Sequence, residues 1–300
     1  MASAFSLNGG LSGLYPDPDR PSALQHVLVT GAAGHIGSYF AQHHDPVRFN
    51  LRLMVRAEDD PDRIAFLRPF GEIVTGDLGD LESLIGHCQG MDAVLHLAGD
   101  PSPNAVWSSV LENNLTGTYH LFAAAKAAGC RRVVYASSIH AVSGYPTEVQ
   151  VKTGEPVNPG DLYGVSKCFG EAMARYMAEQ EDVPAICLRI GAFQPLEKAR
   201  DEAALPLLDA FVSHRDLHQL IEKSLAAPEA LRFAVFHGLS NNRFKRLDIS
   251  DARALVGYEP QDDFTAENPA LRDLRLSENS SGHNLRDQSQ KSGLREEVPA

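Results

Sequence analysis

The segment HVLVTGAAGHIGSYF, residues 26–40, constrains this chain more than any other. An apolar run ends at Thr30, glycines follow at 31, 34 and 37, and a helical pattern opens at His35 and Ile36 with no linker between. A strand that passes straight into a helix through a tight turn accommodates this order. Gly31 gives the turn its conformational freedom. Gly34 leaves the backbone bare where another group can approach, and Gly37 lets the helix lie close to the strand. The free N–H groups of a helix that starts this way point outward and attract anions.

The rest of the chain repeats the alternation. Strands are predicted at His26–Thr30, Leu51–Val55, Glu72–Thr75, Ala93–Leu97, Val133–Ala136, Ala185–Ile190 and Phe233–Phe236. Several are apolar at nearly every position, as strands covered on both faces are. Helices are predicted at Ile36–His44, Asp62–Pro69, Leu81–His87, Thr116–Ala128, Tyr163–Gln180, Arg215–Ala227 and Ser250–Val256. The order implies an α/β fold: a doubly wound parallel (Rossmann) sheet with a small C-terminal substrate-covering region. We expect a flexible leader over 1–24, a dinucleotide-binding domain with its catalytic helix over 25–190, a covering region with the last strand over 191–275, and a disordered polar tail over 276–300. Segments near 139–160, 191–215 and 237–265 are expected to build the cover.

Charge narrows the partners. Lys+Arg number 27 against 39 Asp+Glu, a net charge of −12, which repels nucleic acid. No apolar run is long enough for a membrane span, and no secretory signal pattern opens the chain. Cys88, Cys130, Cys168 and Cys187 lack metal-ligand spacing and read as reduced packing residues of a cytoplasmic protein. No metal is expected.

The segment LYGVSKCFGEAMARYM carries the chemistry. Tyr163 and Lys167, four apart, project from one face of a helix. A free phenol is a poor base at neutral pH, and a neighbouring ammonium favours its ionised form. The apolar positions Val165, Cys168, Phe169, Ala172, Met173, Tyr176 and Met177 predict one buried stripe. Upstream, Val133-Val134-Tyr135-Ala136-Ser137-Ser138 ends in two serines; Ser138 is the first candidate to hold a substrate oxygen, Ser137 the second.

With the GxxGxxG loop, the TGDL segment at 75–78, HLAG at 96–99, NNLTGT at 113–118 and the YxxxK pair, the chain resembles the extended short-chain dehydrogenase/reductase family over roughly residues 26–264. The resemblance implies NAD or NADP held by Gly31, Gly34, His35, Ile36, Gly37, Asp77, Leu78, Leu97, Ala98, Gly99, Asn114, Tyr163, Lys167 and Ile190. It further implies a small-molecule substrate held by Ser138 and Tyr163, and helices near the catalytic one through which many members pair as homodimers. Arg56 follows the second strand where an acid would bind a ribose 2′-hydroxyl. It suits a 2′-phosphate, while Glu58, Asp59 and Asp60 suit the hydroxyl, so NAD and NADP both stay open.

Within that family, SSIH at 137–140, GYP at 144–146, LRIG at 188–191, SHRDL at 213–217 and VGYEPQDD at 256–263 resemble the uronate dehydrogenase branch. That branch has Asn where this chain has Ile139 and Ser where it has Ala192. Its carboxylate-gripping Arg falls at Pro206 by ungapped counting. His140, Arg200, Arg215 and Arg243 remain candidate substrate contacts, and a substrate other than a uronate is expected. The competing readings are a nucleotide-sugar epimerase or dehydratase, which would hold NAD tightly, and a non-catalytic NAD(P)-binding sensor.

Overall fold

The computed structural model describes residues 24–273; the expected leader, Leu24 excepted, and the expected tail lie outside them. Seven strands form one parallel sheet: β1 (Gln25–Thr30), β2 (Phe49–Val55), β3 (Glu72–Thr75), β4 (Ala93–His96), β5 (Arg132–Ser138), β6 (Ala185–Ile190) and, late in the chain, Phe233–Gly238. Two short strands, β7 (Ala192–Gln194) and β8 (Phe211–Ser213), pair beside it, which makes the late strand β9. The sheet order is β3-β2-β1-β4-β5-β6-β9. The order reverses between β1 and β4, and ligands of such sheets bind in the crevice that opens there.

Alternate side chains of each strand enter opposite layers, which explains the nearly unbroken apolar runs. One layer joins Val27, Val29, Leu51, Leu53, Leu95 and Leu188 to Phe40 of α1 (His35–His43) and to Leu217, Leu220 and Ile221 of α7 (His214–Leu225). The other joins Leu28, Val94, Val133 and Tyr135 to Leu84 of α3 (Leu81–Cys88), Phe122 of α5 (Gly117–Ala127) and Met177 of α6 (Leu162–Gln180). The remaining helices are α2 (Pro61–Leu67), α4 (Trp107–Ser109), α8 (Ser250–Val256) and α9 (Phe264–Glu267). Between α4 and α5, Val110–Thr116 is a π-helical stretch, where the sequence predicted no helix before Thr116.

The stripe predicted for α6 is corrected by the packing. The helix buries Tyr163, Ser166, Lys167, Gly170, Glu171, Ala174 and Met177. Val165, Phe169 and Tyr176 are exposed. The polar residues face inward because the sheet supplies partners for them, described below. The apolar residues on the other face are left for solvent or a further surface.

Two smaller apolar clusters join segments that follow the strand ends. Val142 and Val151 pack with Leu239, Leu247 and Ile249. Ala199, Ala204 and Phe211 pack with Phe264. These clusters join the stretches expected to cover the site.

Two buried histidines couple this core to pH. Burial, with Lys167 nearby, pushes His96 down to about 3. Burial pushes His237 down to about 4. Unfolding returns both to the ordinary value near 6.5. Between those limits the unfolded state binds more protons, so stability is full above about 6.5 and falls as pH drops toward 4. Two such groups give a slope of roughly 2–3 kcal/mol per pH unit near pH 5. Urea unfolding at pH 7.5, 6 and 5 measures it; an unchanged unfolding free energy would show that both rings bind protons in the fold.

Candidate active site

The glycine turn is built as its sequence requires. Gly31 has φ +68°, and a Cβ there would lie 2.8 Å from Ala98 N. A Cβ at Gly37 would lie 2.4 Å from Gly31 O, so only glycine lets α1 approach. At Gly34 a Cβ would meet Gly31 O at 3.2 Å and otherwise project into open space. Gly34 precedes α1, whose start has neither a side-chain cap nor an acid in its first turn. Its N–H groups are therefore available to an anion. His35 is exposed at this end, and Ile36 packs against the core beneath.

Across the crevice, Leu97 N donates to Thr30 O at 3.3 Å and Ala98 N to Thr30 Oγ1 at 3.2 Å. Gly99 follows at φ +146°, where a Cβ would press on Asn114 Oδ1 at 3.0 Å. Asn114, in the π-helical stretch, accepts from Asp100 N at 2.7 Å and donates to Asp100 O and Ser166 Oγ, each at 3.0 Å. It thus pins the β4 loop to the first turns of α6. At the end of β3, Asp77 Oδ1 accepts from Gly79 N at 2.7 Å, while the cap of α3 is Asp80. Leu78 packs against the α-carbon face of Gly117. Arg56 at the end of β2 lies 3.3 Å from Glu58 and 3.1 Å from Asp59.

The serines, tyrosine and lysine converge where β5 meets α6. The strand extends two residues past its predicted end, and its alternation sends the serines opposite ways. Ser137 Oγ donates to the buried Glu171 at 2.6 Å and is thereby removed from the crevice. Ser138 lies on the crevice side, beside the Tyr163 phenol. Burial raises the pKa of Tyr163, and the Ser138 hydroxyl draws it back. Lys167 is buried too, which lowers it to about 8. Its Nζ donates to Ala136 O at 2.8 Å and stands 5.4 Å from the centre of the Tyr163 ring. Desolvation is the largest influence on the phenol, so its net direction is upward. Ile190 ends β6 opposite Ser138.

His140 sits in the turn Ile139–Val142 with its ring edge toward Tyr163, centroids 5.4 Å apart. Its Nδ1–H donates to Asp161 Oδ2 at 2.5 Å, which fixes Nε2 as the atom open to other groups. Asp161 also caps α6, accepting from Gly164 N at 2.7 Å. Sequence reading passed over Asp161, although an Asp directly ahead of a helical pattern is a cap signal. The arginine candidates are engaged elsewhere. Arg200 Nε bonds Glu267 at 2.9 Å. Arg215 forms a two-point bond to Asp262 at 2.9 and 2.5 Å. Arg243 lies 3.7 Å from Asp263. Pro206 stands inside a short 3-10 turn.

A crevice at the strand-order reversal, an uncapped helix start and a Tyr-Lys helix beside a strand-end serine define a nicotinamide-dinucleotide oxidoreductase. Comparison with known proteins agrees. The model of the NAD dependent epimerase/dehydratase family matches residues 27–194. The NAD-dependent glucose-6-phosphate dehydrogenase of Haloferax volcanii is 34% identical, over 82% of this chain and 98% of that protein. A uronate dehydrogenase of Agrobacterium fabrum is 33% identical, over 81% and 87%. The crystal structure of uronate dehydrogenase from Agrobacterium tumefaciens superposes with TM-score 0.72 at 32% identity, covering 88% of this chain and 93% of that one. The chain belongs to the NAD-dependent epimerase/dehydratase family.

Proposed function

We propose that this enzyme oxidises a ring hydroxyl of a neutral cyclic sugar, at C1, with Tyr163 as proton acceptor, Ser138 as the hydroxyl that holds the reacting oxygen and Lys167 as the group that orients the cofactor ribose. The observation that carries this reading is the convergence of Ser138, Tyr163 and Lys167 where β5 meets α6, in a sheet whose first strand runs into the uncapped start of α1.

The cradle fits a dinucleotide: Gly34 leaves open space and the first turn of α1 presents free N–H groups. The pyrophosphate would rest on Gly31, Gly34, His35, Ile36 and Gly37. Asp77 and Leu78 would border the adenine, and Leu97, Ala98, Gly99, Asn114 and Ile190 the nicotinamide half. When bound, the nicotinamide supplies the hydride acceptor. The protein's own work is positional and protonic. Ser138 Oγ holds the substrate hydroxyl toward the phenol, and Tyr163 takes its proton. The Asp161 bond engages Nδ1, so His140 meets a second sugar hydroxyl through Nε2. Pairing through the exposed apolar face of α6 (Val165, Phe169, Tyr176) would make the enzyme a homodimer, which sedimentation decides.

The relatives named for uronates and a sugar phosphate act on anions, but the arginines that could grip one here are satisfied by Glu267, Asp262 and Asp263. Freeing one of these half-exposed guanidinium groups leaves its carboxylate unpaired, a loss that is largest at the buried Asp262. Glucuronate, galacturonate and glucose 6-phosphate are therefore expected to react with kcat/KM at least about a hundredfold below the best neutral aldose. A panel of these with NAD and NADP, followed at the reduced-nicotinamide absorbance, tests both parts. A uronate as best substrate overturns the neutral assignment. No turnover with any sugar, in protein that retains NAD through purification, points to an epimerase; cofactor binding with no chemistry at all points to a sensor.

A further inference from the structure

We propose that Arg63, with His35 and Ser38, forms a subsite for the 2′-phosphate of NADP at the adenosine end of the crevice. The inference rests on the dinucleotide reading of the glycine turn and adds a residue that the sequence had not suggested.

In a sheet ordered 3-2-1-4, the adenosine half of a dinucleotide lies toward β2 and β3, and its 2′ position is met by residues after β2. The glycine turn is stitched to that end: Ala32 N donates to Met54 O at 3.2 Å, and Gly76 N donates to Val55 O at 3.0 Å. The last residue of β2 is Val55, so no carboxylate occupies the strand's final position, and Glu58 and Asp59 just beyond it are paired with Arg56.

Two arginines serve this end, and they differ in commitment. Arg56 is spent on Glu58 and Asp59, and Asp59 also accepts its backbone N–H at 2.9 Å. Arg63, in α2, reaches back to the turn and donates through Nη1 to Ala33 O at 3.0 Å. Among the described residues no carboxylate lies within ion-pairing distance of it. The guanidinium is thus fixed by one bond to the turn while its charge and remaining donors stay uncommitted. Such a fork is the group best suited to a phosphate.

A cavity of about 350 Å³ opens at this point, lined by His35, Ser38, Asp62, Arg63 and Phe66. It sets the imidazole of His35 and the hydroxyl of Ser38 in the same lining as the guanidinium. Asp62 is the opposing charge; it sits at the exposed start of α2, where its backbone N–H is held by Asp60 Oδ1 at 2.9 Å.

Calorimetric binding of adenosine 2′,5′-bisphosphate and 5′-AMP to the full chain isolates the subsite, because the two differ only in the 2′-phosphate. The bisphosphate is expected to bind at least tenfold more tightly, with a preference that weakens as salt rises. Arg63→Gln should remove most of that preference and leave 5′-AMP within about twofold, whereas Arg56→Gln should keep it. Equal affinity for both ligands in the unaltered protein overturns the proposal, as does loss of the preference in Arg56→Gln alone. Equal weakening of both ligands by Arg63→Gln would show that Arg63 only braces the turn, and also overturns it. If 5′-AMP itself fails to bind, the dinucleotide reading falls with it.

Discussion

Tyr163→Phe is expected to cut turnover by roughly 10²–10⁴-fold while cofactor affinity stays within a few-fold. The substitution removes one oxygen from a nearly buried ring and leaves the shape of the helix start unchanged. The cofactor's pyrophosphate is assigned to the turn at Gly31–Gly37, on another element, so binding and chemistry should separate. The pH profile carries a second signature. Burial raises the phenol above its ordinary range, and Ser138 offsets only part of that. Sugar oxidation needs the ionised oxygen to accept a proton, so its rate should climb with pH on the alkaline side of neutrality. The reverse reduction needs the protonated phenol and should fall over the same range. Loss of the phenol oxygen removes the alkaline limb as well as the amplitude. Stopped-flow turnover and cofactor fluorescence on the same preparation measure both; a variant retaining more than half of kcat would remove Tyr163 from the chemistry.

The features legible in the sequence are those whose cause is local. Strand-to-helix passage over 30–37 can be read because glycine is needed where the backbone takes φ +68° and where a Cβ would come within 2.4 Å of another backbone. The Tyr163–Lys167 spacing can be read because four residues make one helical turn. What could not be read depends on partners distant in sequence. Arg200 and Glu267 are 67 residues apart, and Arg215 and Asp262 are 47 apart. No local pattern announces that such arginines are already neutralised. The same holds for α6. Its apolar residues predicted a buried stripe, but the face that meets the sheet is chosen by Ser137, Ala136 and Arg189, which offer hydrogen bonds to Glu171 and Lys167. The choice between Ser137 and Ser138 was open only because β5 was predicted to end at Ala136. Two more residues of strand set them on opposite faces.

Glu171→Gln should destabilise the fold by about 3–5 kcal/mol, since it leaves a buried guanidinium without its counter-charge. Arg189 is fully buried in β6 and donates through Nε and Nη2 to the two carboxylate oxygens of Glu171, at 2.8 and 2.9 Å. Ser137 donates to the same carboxylate at 2.6 Å, and Arg189 Nη1 approaches His237 Nε2 at 3.5 Å. His237 in turn donates from Nδ1 to Asp248 O at 2.7 Å, which leaves Nε2 as an acceptor for the arginine. One network therefore fastens α6 to β5, β6 and β9, the elements that hold Tyr163, Lys167 and Ser138 in register. A glutamine side chain keeps the volume and some hydrogen bonding but not the charge, so the loss is electrostatic rather than a packing defect. For a domain of this size each kcal/mol lowers Tm by about 2–4 °C, which predicts a drop of roughly 6–20 °C in calorimetry. Removing both charges together, as Glu171→Gln with Arg189→Met, should recover a large part of the loss, because an apolar replacement no longer needs a counter-ion. If the double variant is as unstable as the sum of the single ones, the two residues act independently and the network does not couple the catalytic helix to the sheet.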